Sequence, residues 1–332
     1  MKTALRALRQ HQFRRRNAPA LERCIPRGMS LGPIERTGAE VVVARARAQD
    51  GSEAAVVKLA RTAAGARSLR RAADQLAALH ADPRLDGWGV QHPEILDVGE
   101  LDGLTYIVES PLAGEPIAGP LDRGAAWQPL ADLATRAIEG LHSRTATVLS
   151  VDAELLDRWI DEPLRAVEPL VVDRPRQAAA LRELGRDLAG RLEGRDVTTA
   201  WIHGDFAPGN VLVDAQAREI TGIVDWELAG APDLPIIDRA MFLLATHMQT
   251  TGRQLGALVA GIAIGEGSEP LQASLVQTTQ ADLDDPLGVR AVVLLCWLRH
   301  VAALVTRTES RARNSAWKRH NVNQVLDALT RR

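Results

Sequence analysis

Residues 201–226 read WIHGDFAPGNVLVDAQAREITGIVDW and place polar loops between short apolar runs. The apolar runs are rich in β-branched residues, which favours strands, so the polar side chains fall at strand ends. Asp205 and Asn210 are five residues apart across a Pro-Gly turn that can bring both side chains toward one point, and Asp225 ends the next apolar run. Two carboxylates and an amide oxygen form the oxygen ligand set that Mg²⁺ prefers. Phosphoryl transfer needs such a metal, a cation on the donor phosphates and a carboxylate aimed at the acceptor hydroxyl.

The segments on either side of this stretch differ in their periodicity. Between residues 27 and 109 the runs are short and extended, with an Asp-Gly turn at Asp50 and another at Asp102. Such turns between β-rich runs are typical of hairpins. After residue 110, helical periodicity dominates. We therefore predict an α+β fold with two lobes, a small β-rich N-lobe at 27–109 and a larger, mainly helical C-lobe at 110–332, after an extension at 1–26.

Apolar residues at helical spacing predict eight helices. The first, at 64–81, carries Leu69, Ala72, Leu76 and Leu79 on one face and is the helix of the N-lobe. The others belong to the C-lobe and lie at 125–147, 151–168, 174–193, 236–250, 252–264, 288–309 and 316–330.

The composition excludes several classes of protein. The 332 residues include 40 basic and 42 acidic side chains, for a net charge of −2, and only 3% are aromatic. A neutral chain with so few stacking surfaces is not a dedicated nucleic-acid binder. Two cysteines cannot form a disulfide framework, and no apolar run is long enough to span a membrane. We therefore expect a cytoplasmic protein with no membrane span, and we predict no protein partner.

Lysine is rare in this chain, which makes each lysine informative. Only Lys2, Lys58 and Lys318 occur among the 40 basic residues, and arginine supplies the rest. Lys58 lies inside the apolar run at 56–59, where a cation is unusual. The alternative interpretation is a lysine that faces solvent from an edge strand.

The pattern His-Gly-Asp-x-x-x-x-Asn at 203–210, followed by Ile-Val-Asp-Trp-Glu at 223–227, resembles the aminoglycoside phosphotransferase family. Members of that family are small-molecule kinases with a protein-kinase-like fold. The resemblance covers residues 30–310 in layout but is specific only at 203–238. Taken singly, Asp205, Asn210 and Asp225 could also be ordinary turn and cap residues, since Asp and Asn favour turns.

The resemblance implies a role for each matching residue. Asp205 would be the catalytic base, with Asn210 and Asp225 as Mg²⁺ ligands, while His203 would shape the loop and Asp238 would brace it. The nucleotide-binding residues would then be Lys58 on the α and β phosphates, Gly38 in a loop at 32–38 over the phosphates, and the hinge residues Glu109, Ser110 and Leu112, whose backbone would meet the base.

The function that follows is Mg²⁺-dependent transfer of the γ-phosphoryl group from ATP or GTP to a small-molecule hydroxyl acceptor. The acceptor could be an antibiotic, a sugar or an amino alcohol. One feature departs from the family pattern, because no glutamate occurs between Glu53 and Glu94 to pair with Lys58 from the following helix. Ala72 takes the expected helix position, and Asp74 lies off the apolar face. The alternative function is therefore a kinase-like module that binds nucleotide with weak or no transfer.

Three further features have two interpretations each. The basic segment within residues 1–26 is either a solvated amphipathic extension, which we favour, or an arm that binds a surface. His142 is expected at a helix end, bonded to backbone. Acidic residues Asp157, Asp161 and Glu162 either form a solvated helix face, which we favour, or line a pocket for a cationic acceptor.

Overall fold

The computed structural model describes residues 16–35, 40–280 and 287–331. The chain divides into two compact units. The first, called the N-lobe below, comprises the residues up to Pro83 together with Gln91–Ala113 and Ile223–Leu228. The second, the C-lobe, comprises Arg84–Val90, Gly114–Gly222 and the residues from Ala229 onward. The predicted two-lobe arrangement, a β-sheet lobe and a helical lobe, is confirmed.

The N-lobe is built on a five-stranded antiparallel sheet with the strand order β1-β2-β3-β5-β4. Its strands are β1 (Ser30–Glu35), β2 (Val41–Arg47), β3 (Glu53–Ala60), β4 (Ile95–Leu101) and β5 (Leu104–Glu109). The two Asp-Gly turns predicted from the sequence connect β2 to β3 and β4 to β5. In the second turn, Asp102 and Gly103 both have positive φ, 50° and 76°, which the tight hairpin turn of this type requires.

In the described part of the N-lobe, two α-helices accompany this sheet. Helix α1 covers 16–24, and its Leu21 and Cys24 are buried in one hydrophobic cluster with Val42 and Val57 of the sheet. The described part of the predicted extension is therefore packed into the N-lobe, and the expectation of a solvated extension is wrong for residues 16–24. Helix α2 (Ala63–His80) begins at Thr62, whose hydroxyl accepts a hydrogen bond from the Gly65 amide. The four residues predicted for its apolar face are all buried.

Among the described residues, the C-lobe contains most of the helices and six short strands. Its strands are β6 (Glu115–Pro116), β7 (Thr147–Ser150), β8 (Asp196–Ile202), β9 (Val211–Val213), β10 (Ile220–Ile223, where the chain enters the N-lobe) and β11 (Gly230–Asp233). Its helices are α3 (Ala118–Asp122), α4 (Trp127–Thr145), α5 (Ala153–Leu156), α6 (Glu162–Val167), α7 (Pro175–Leu192), α8 (Ile236–Thr251), α9 (Leu255–Ala263), α10 (Glu269–Gln280), α11 (Gly288–Arg307), α12 (Glu309–Arg313), α13 (Ser315–Lys318) and α14 (Gln324–Leu329). Single π turns at Asp157–Asp161 and Arg319–Asn323 join α5 to α6 and α13 to α14.

Two three-stranded sheets hold the loop that carries Asp205. Their strand orders are β10-β9-β6 and β11-β8-β7. Strand β8 is buried from Thr199 to Ile202 and leads directly into the loop, and β9 leads out of it. Both ends of the loop are therefore anchored in buried strands, which fixes its position within the C-lobe.

Helix α11 is the most apolar element of the C-lobe. Among the described helices it alone has the length and composition to cross a membrane. It packs against α6, α8 and α9, and its residues from Ala291 to Leu298 are all buried. These contacts are those of a core helix in a folded lobe.

Candidate active site

Lys58 lies in the middle of the N-lobe sheet. Strand β3 pairs with β2 on one side and β5 on the other, where Lys58 is opposite Val43 and Ile107. The residue is only 7% exposed. The alternative interpretation, a solvent-facing lysine on an edge strand, is therefore wrong. A buried ammonium is costly unless it is paired.

Two carboxylates pair with this ammonium. Lys58 Nζ lies 3.0 Å from Glu109 Oε1 and 2.7 Å from Asp225 Oδ1. Burial on its own would lower the pKa of Lys58, but the two carboxylates outweigh it and the pKa is raised. Burial also raises the pKa of Glu109, and Asp225 adds to this effect while Lys58 opposes it. One positive charge thus faces two negative charges, and we call these three residues the lysine cluster.

The strand register explains why Glu109 reaches Lys58. Ile107 is directly opposite Lys58 on β5, and Glu109 follows two residues later on the same face of the strand. Diagonal neighbours across two strands lie within reach of long side chains. Glu109 is 3% exposed, so its carboxylate lies inside the lobe, and its backbone belongs to the sheet.

Asp225 is held by the turn that follows β10. Its φ of 65° lies in the left-handed region, which is unusual for a residue other than glycine. The next residue, Trp226, is fully buried and donates from Nε1 to the Ile223 carbonyl at 2.8 Å, while the Ile223 amide donates to Gln91 O at 2.9 Å. Anchored in this way, the Asp225 side chain remains 51% exposed, so part of the carboxylate is accessible to a ligand.

Helix α2 provides no acid to Lys58. Ala72 is buried and Asp74 is exposed, as the helical rotation predicted. The helix contacts the turn at 226–228 instead, where Ser68 donates a hydrogen bond to Glu227. The carboxylate beside Lys58 comes from β5 and not from the helix.

In the C-lobe, Asp238 organises the loop at 203–210. Its Oδ2 accepts a hydrogen bond from the His203 amide at 2.7 Å, and its Oδ1 accepts one from the Gly204 amide at 2.9 Å. His142 Nε2 lies 3.1 Å from Oδ2, so His142 pairs with a carboxylate and not with backbone as expected. Full burial of Asp238 would raise its pKa, but His142, His203 and the amide contacts outweigh burial and lower it.

The loop positions Asp205 and Asn210. The Asp205 amide donates to His203 Nδ1 at 3.2 Å, and Asn210 Nδ2 donates to the Asp205 carbonyl at 2.9 Å. These bonds fix the orientation of the amide, and within the described chain its Oδ1 accepts no hydrogen bond. Arg307 Nη2 is 3.8 Å from Asp205 Oδ2. The Asp205 side chain is 25% exposed, so a molecule in solution can contact it.

The remaining predicted nucleotide-binding residues lie around the end of β5. The Ser110 amide donates to Glu94 O at 2.8 Å, and Ser110 Oγ accepts from the Glu94 amide at 2.9 Å. Leu112 takes part in no backbone hydrogen bond with any described residue, which leaves its amide and carbonyl for a ligand. Gly38 lies outside the described residues.

Magnesium is the metal that the resemblance implies, and the donor atoms fit it. Asp225 offers a half-exposed carboxylate and Asn210 an oriented amide oxygen, both of which are hard ligands. The described residues contain no group of three or more His, Cys, Asp or Glu side chains that could hold a metal on their own. Mg²⁺ is commonly bound by one or two carboxylates with substrate phosphates and water, so the Asp225 carboxylate and the Asn210 amide oxygen are each a ligand of the kind that it takes.

Sequence reasoning missed three of these contacts. It assigned Glu109 a role through its backbone, although an acid that ends an apolar strand beside a lysine-bearing strand indicates an ion pair. It did not find Arg307 beside Asp205, or His142 beside Asp238. Each of these pairs joins residues about 50 to 100 positions apart, and a local pattern can indicate that a residue needs a partner but not which residue that partner is.

Several solved structures share the fold of this chain. No curated protein sequence matches the chain. Among solved structures, an aminoglycoside-3'-phosphotransferase of type VIII aligns with 86% of this chain and 97% of its own, at 20% identity and a TM-score of 0.53. The GDP and kanamycin complex of APH(2")-IIia covers 90% and 93%, at 17% identity and 0.54. ADP-bound APH(2'')-Ib covers 94% and 97%, at 11% identity and 0.52.

At these identities the structural matches show a shared fold. The stronger finding is that the family model of the phosphotransferase enzyme family matches residues 38–273, a range that contains the lysine cluster, the Asp205 loop and Asp238. Because this match spans more than half of the chain, the chain belongs to the phosphotransferase enzyme family and is a phosphotransferase with a hydroxyl group as acceptor.

Proposed function

We propose that the protein transfers the γ-phosphoryl group of a nucleoside triphosphate, ATP or GTP, to a hydroxyl of a small molecule such as an antibiotic, a sugar or an amino alcohol. The observation that carries the proposal is the buried Lys58 ammonium between Glu109 and Asp225. A cation held inside a sheet lobe, with a half-exposed carboxylate on it, is suited to bind phosphate oxygens. The similar structures with GDP or ADP bound support a nucleotide donor of either base.

The two lobes would have different roles in the reaction. The N-lobe would bind the nucleotide through Lys58, the loop containing Gly38 and the segment Glu109, Ser110 and Leu112. The C-lobe would supply the base and the acceptor-binding surface. Two free, buried cysteines are compatible with the reducing cytoplasm that we propose as its location.

In the proposed step, the acceptor oxygen forms a bond to the γ-phosphorus. The bond from phosphorus to the bridging oxygen breaks, and the nucleoside diphosphate leaves with the electron pair. The hydroxyl proton passes to Asp205, which first orients the acceptor. Asn210 and Asp225 would hold Mg²⁺, which supplies charge neutralisation on the phosphate oxygens.

Charge balance supports the need for a metal. The lysine cluster carries one positive and two negative charges, so it would repel bare triphosphate. With Asp225 as a ligand of Mg²⁺, Lys58 would keep Glu109 as its buried partner and would still be able to bind phosphate. Glu109 would then take the place of the missing helix glutamate, which removes the observation that favoured a binding module without transfer.

The test is a pair of assays on the parent and on Asp205→Asn, which keeps the size of the side chain but removes its proton-accepting charge. We expect Mg·ATP affinity within a few-fold of the parent, and a loss of phosphorylated product of about 10²-fold or more. The acceptor is found with labelled ATP and a panel of hydroxyl compounds. A variant that transfers phosphate as fast as the parent would refute the role of Asp205. A parent that binds Mg·ATP but phosphorylates nothing would favour the binding module.

A further inference from the structure

The Glu109 carboxylate is buried at the end of β5 and uses only part of its hydrogen-bonding capacity. The residue is 3% exposed, and Lys58 Nζ lies 3.0 Å from its Oε1. Within the described chain, Lys58 is the one residue that donates a hydrogen bond to this carboxylate. An ionised carboxylate can accept about four hydrogen bonds. A buried acceptor with unused capacity is costly, so this carboxylate is suited to bind a ligand group that donates a hydrogen bond.

Apolar side chains flank the carboxylate on both sides. Val56 on β3 and Ile95 on β4 are each directly opposite Glu109 in the register of the sheet, and cross-strand partners point to the same face. Both side chains are half-buried, and neither can donate a hydrogen bond. Small-molecule sites are mostly apolar, with a few polar groups that fix orientation. A flat ring system with one amino group fits these surroundings.

The segment after β5 adds one backbone donor. The Ser110 amide is already bonded to the Glu94 carbonyl at 2.8 Å, and Pro111 has no amide hydrogen. The Leu112 amide takes part in no backbone hydrogen bond with any described residue. Between positions 109 and 112 the sequence therefore leaves a carboxylate as acceptor and the Leu112 amide as donor.

Adenine and guanine present opposite patterns at the edge that carries position 6. Adenine has a 6-amino donor beside the N1 acceptor, whereas guanine has a 6-oxo acceptor beside an N1–H donor. Against a carboxylate and an amide N–H, guanine would place acceptor against acceptor and donor against donor, and such contacts are how a site rejects a competitor. A carboxylate can also bind guanine with both oxygens, on N1–H and the 2-amino group, but Lys58 already lies on Oε1 of Glu109.

We infer that the Glu109 side chain selects the base of the phosphoryl donor. Its carboxylate accepts a hydrogen bond from the 6-amino group of adenine, with the Leu112 amide on N1, and it disfavours guanine. The inference rests on the proposed function and narrows the donor from ATP or GTP to ATP. A site that hydrogen-bonds a substrate group discriminates more strongly against an analogue without that group than an apolar pocket does.

The experiment measures the affinities of four triphosphates in Mg²⁺ by calorimetry, without acceptor and without turnover. ITP differs from ATP only in having the 6-oxo group and N1–H. Purine riboside triphosphate lacks only the amino group, and GTP adds a 2-amino group to ITP. We expect ATP to bind more tightly than each of the other three by about tenfold or more, the size expected for one hydrogen bond to a charged group.

Glu109→Gln changes the hydrogen-bonding pattern but keeps the shape of the side chain. Because the Lys58 ammonium can only donate, it orients the amide oxygen toward itself, and the NH₂ group takes the place of the second carboxylate oxygen. We expect the ratio of ATP affinity to ITP affinity to fall by about tenfold or more, because one charged acceptor is replaced by a donor. Any general loss of affinity through Lys58 affects both nucleotides and cancels in this ratio.

Glu94→Gln is the matched control. Glu94 is exposed and bonds to Ser110 only through its backbone, so the substitution removes a neighbouring acid without changing those bonds. We expect the ATP to ITP ratio of the parent. Thermal unfolding of each variant shows whether it is folded, and the measurements on the parent need no variant.

Three results would overturn the inference. The first is a parent that binds ITP or GTP as tightly as ATP, and the second is equal affinity for ATP and purine riboside triphosphate. The third is an ATP to ITP ratio that Glu109→Gln leaves unchanged or that Glu94→Gln lowers equally. Failure of the proposed function gives a different result, a parent that binds ATP but phosphorylates no acceptor, and the base preference is still decided by binding alone.

Discussion

Glu109→Gln tests whether the strand carboxylate supports nucleotide binding. Glu109 Oε1 is 3.0 Å from Lys58 Nζ, and the glutamate is 3% exposed. At an effective dielectric constant of about 20, two unit charges at that distance attract by roughly 5 to 6 kcal/mol before desolvation is subtracted. Burial opposes the charged form of Glu109 and raises its pKa, so the net contribution of the pair is much smaller than this gross attraction.

The ligand-free protein should tolerate the substitution. Asp225 lies 2.7 Å from the same ammonium, so Lys58 keeps a charged partner, and the glutamine side chain has nearly the size and shape of the glutamate that it replaces. A charge-assisted hydrogen bond contributes about 1.5–3 kcal/mol, and we expect at most that loss in the free energy of unfolding.

The effect on catalysis should be larger than the effect on stability. If Asp225 held Mg²⁺ as proposed, Glu109 would be the remaining buried partner of Lys58. Removing it should lower kcat/KM for Mg·ATP by about 10- to 150-fold, the equivalent of about 1.5–3 kcal/mol. Asp74→Asn is the control, because it removes an acid from the exposed side of α2.

Steady-state kinetics of the two variants measure the loss of kcat/KM, and urea unfolding measures the loss of stability. A double-mutant cycle of Glu109→Gln with Lys58→Met should show that the two kinetic losses are not additive. Equal kinetics for Glu109→Gln and Asp74→Asn would refute the reasoning. A loss of kcat/KM for Asp74→Asn as large as that expected for Glu109→Gln would mean that the acid beside Lys58 comes from the helix.

Two further predictions concern the carboxylates Asp225 and Asp238. Asp225→Asn should reduce the affinity for ATP in Mg²⁺ to the level that the parent shows in EDTA, at least about tenfold weaker by calorimetry, because it removes a metal ligand; equal parent affinities with and without EDTA would contradict this. Asp238→Asn should destabilise the protein by about 2–4 kcal/mol at neutral pH, since it weakens three buried hydrogen bonds. Because the pKa of Asp238 is lowered in the folded protein, its contribution to the free energy of unfolding is present above its ordinary pKa of 3.8 and is lost as the pH falls below that value. The unfolding free energies of parent and variant, measured in urea, should therefore converge in acid. A difference between them that is constant with pH would show that the charge of Asp238 does not matter.

Much of the fold follows from local patterns in the sequence. The period of α2 placed Leu69 and Leu76 on the buried face and Asp74 on the exposed one, and the structure agrees. The Asp-Gly pair at Asp102 predicted a hairpin, because the tight turn of a hairpin favours Asp followed by Gly. Such features depend on neighbours in the chain, so periodicity and turn chemistry are sufficient to predict them.

The candidate site was harder to predict, because its contacts are distant in sequence. Glu109 meets Lys58 only through the register of β3 on β5, and Arg307 meets Asp205 only because α11 packs beside the loop. Register and helix rotation are set by the packing of whole elements. A list of residue types at given spacings cannot supply them, and the family pattern places the partner of Lys58 on the following helix and not on β5.

The turn at Ile223–Leu228 belongs to the N-lobe although the rest of that lobe ends at Ala113. During synthesis, the ribosome must add about 115 residues after Ala113 before this turn exists, which takes on the order of 10 s at about 5–20 residues per second. Until then the nascent N-lobe contains the Lys58–Glu109 pair without Asp225, and helix α2 lacks the turn at 226–228 that it contacts in the folded lobe. The small lobe is therefore completed late, and a gene fragment that stops at residue 113 encodes a lobe without its second carboxylate.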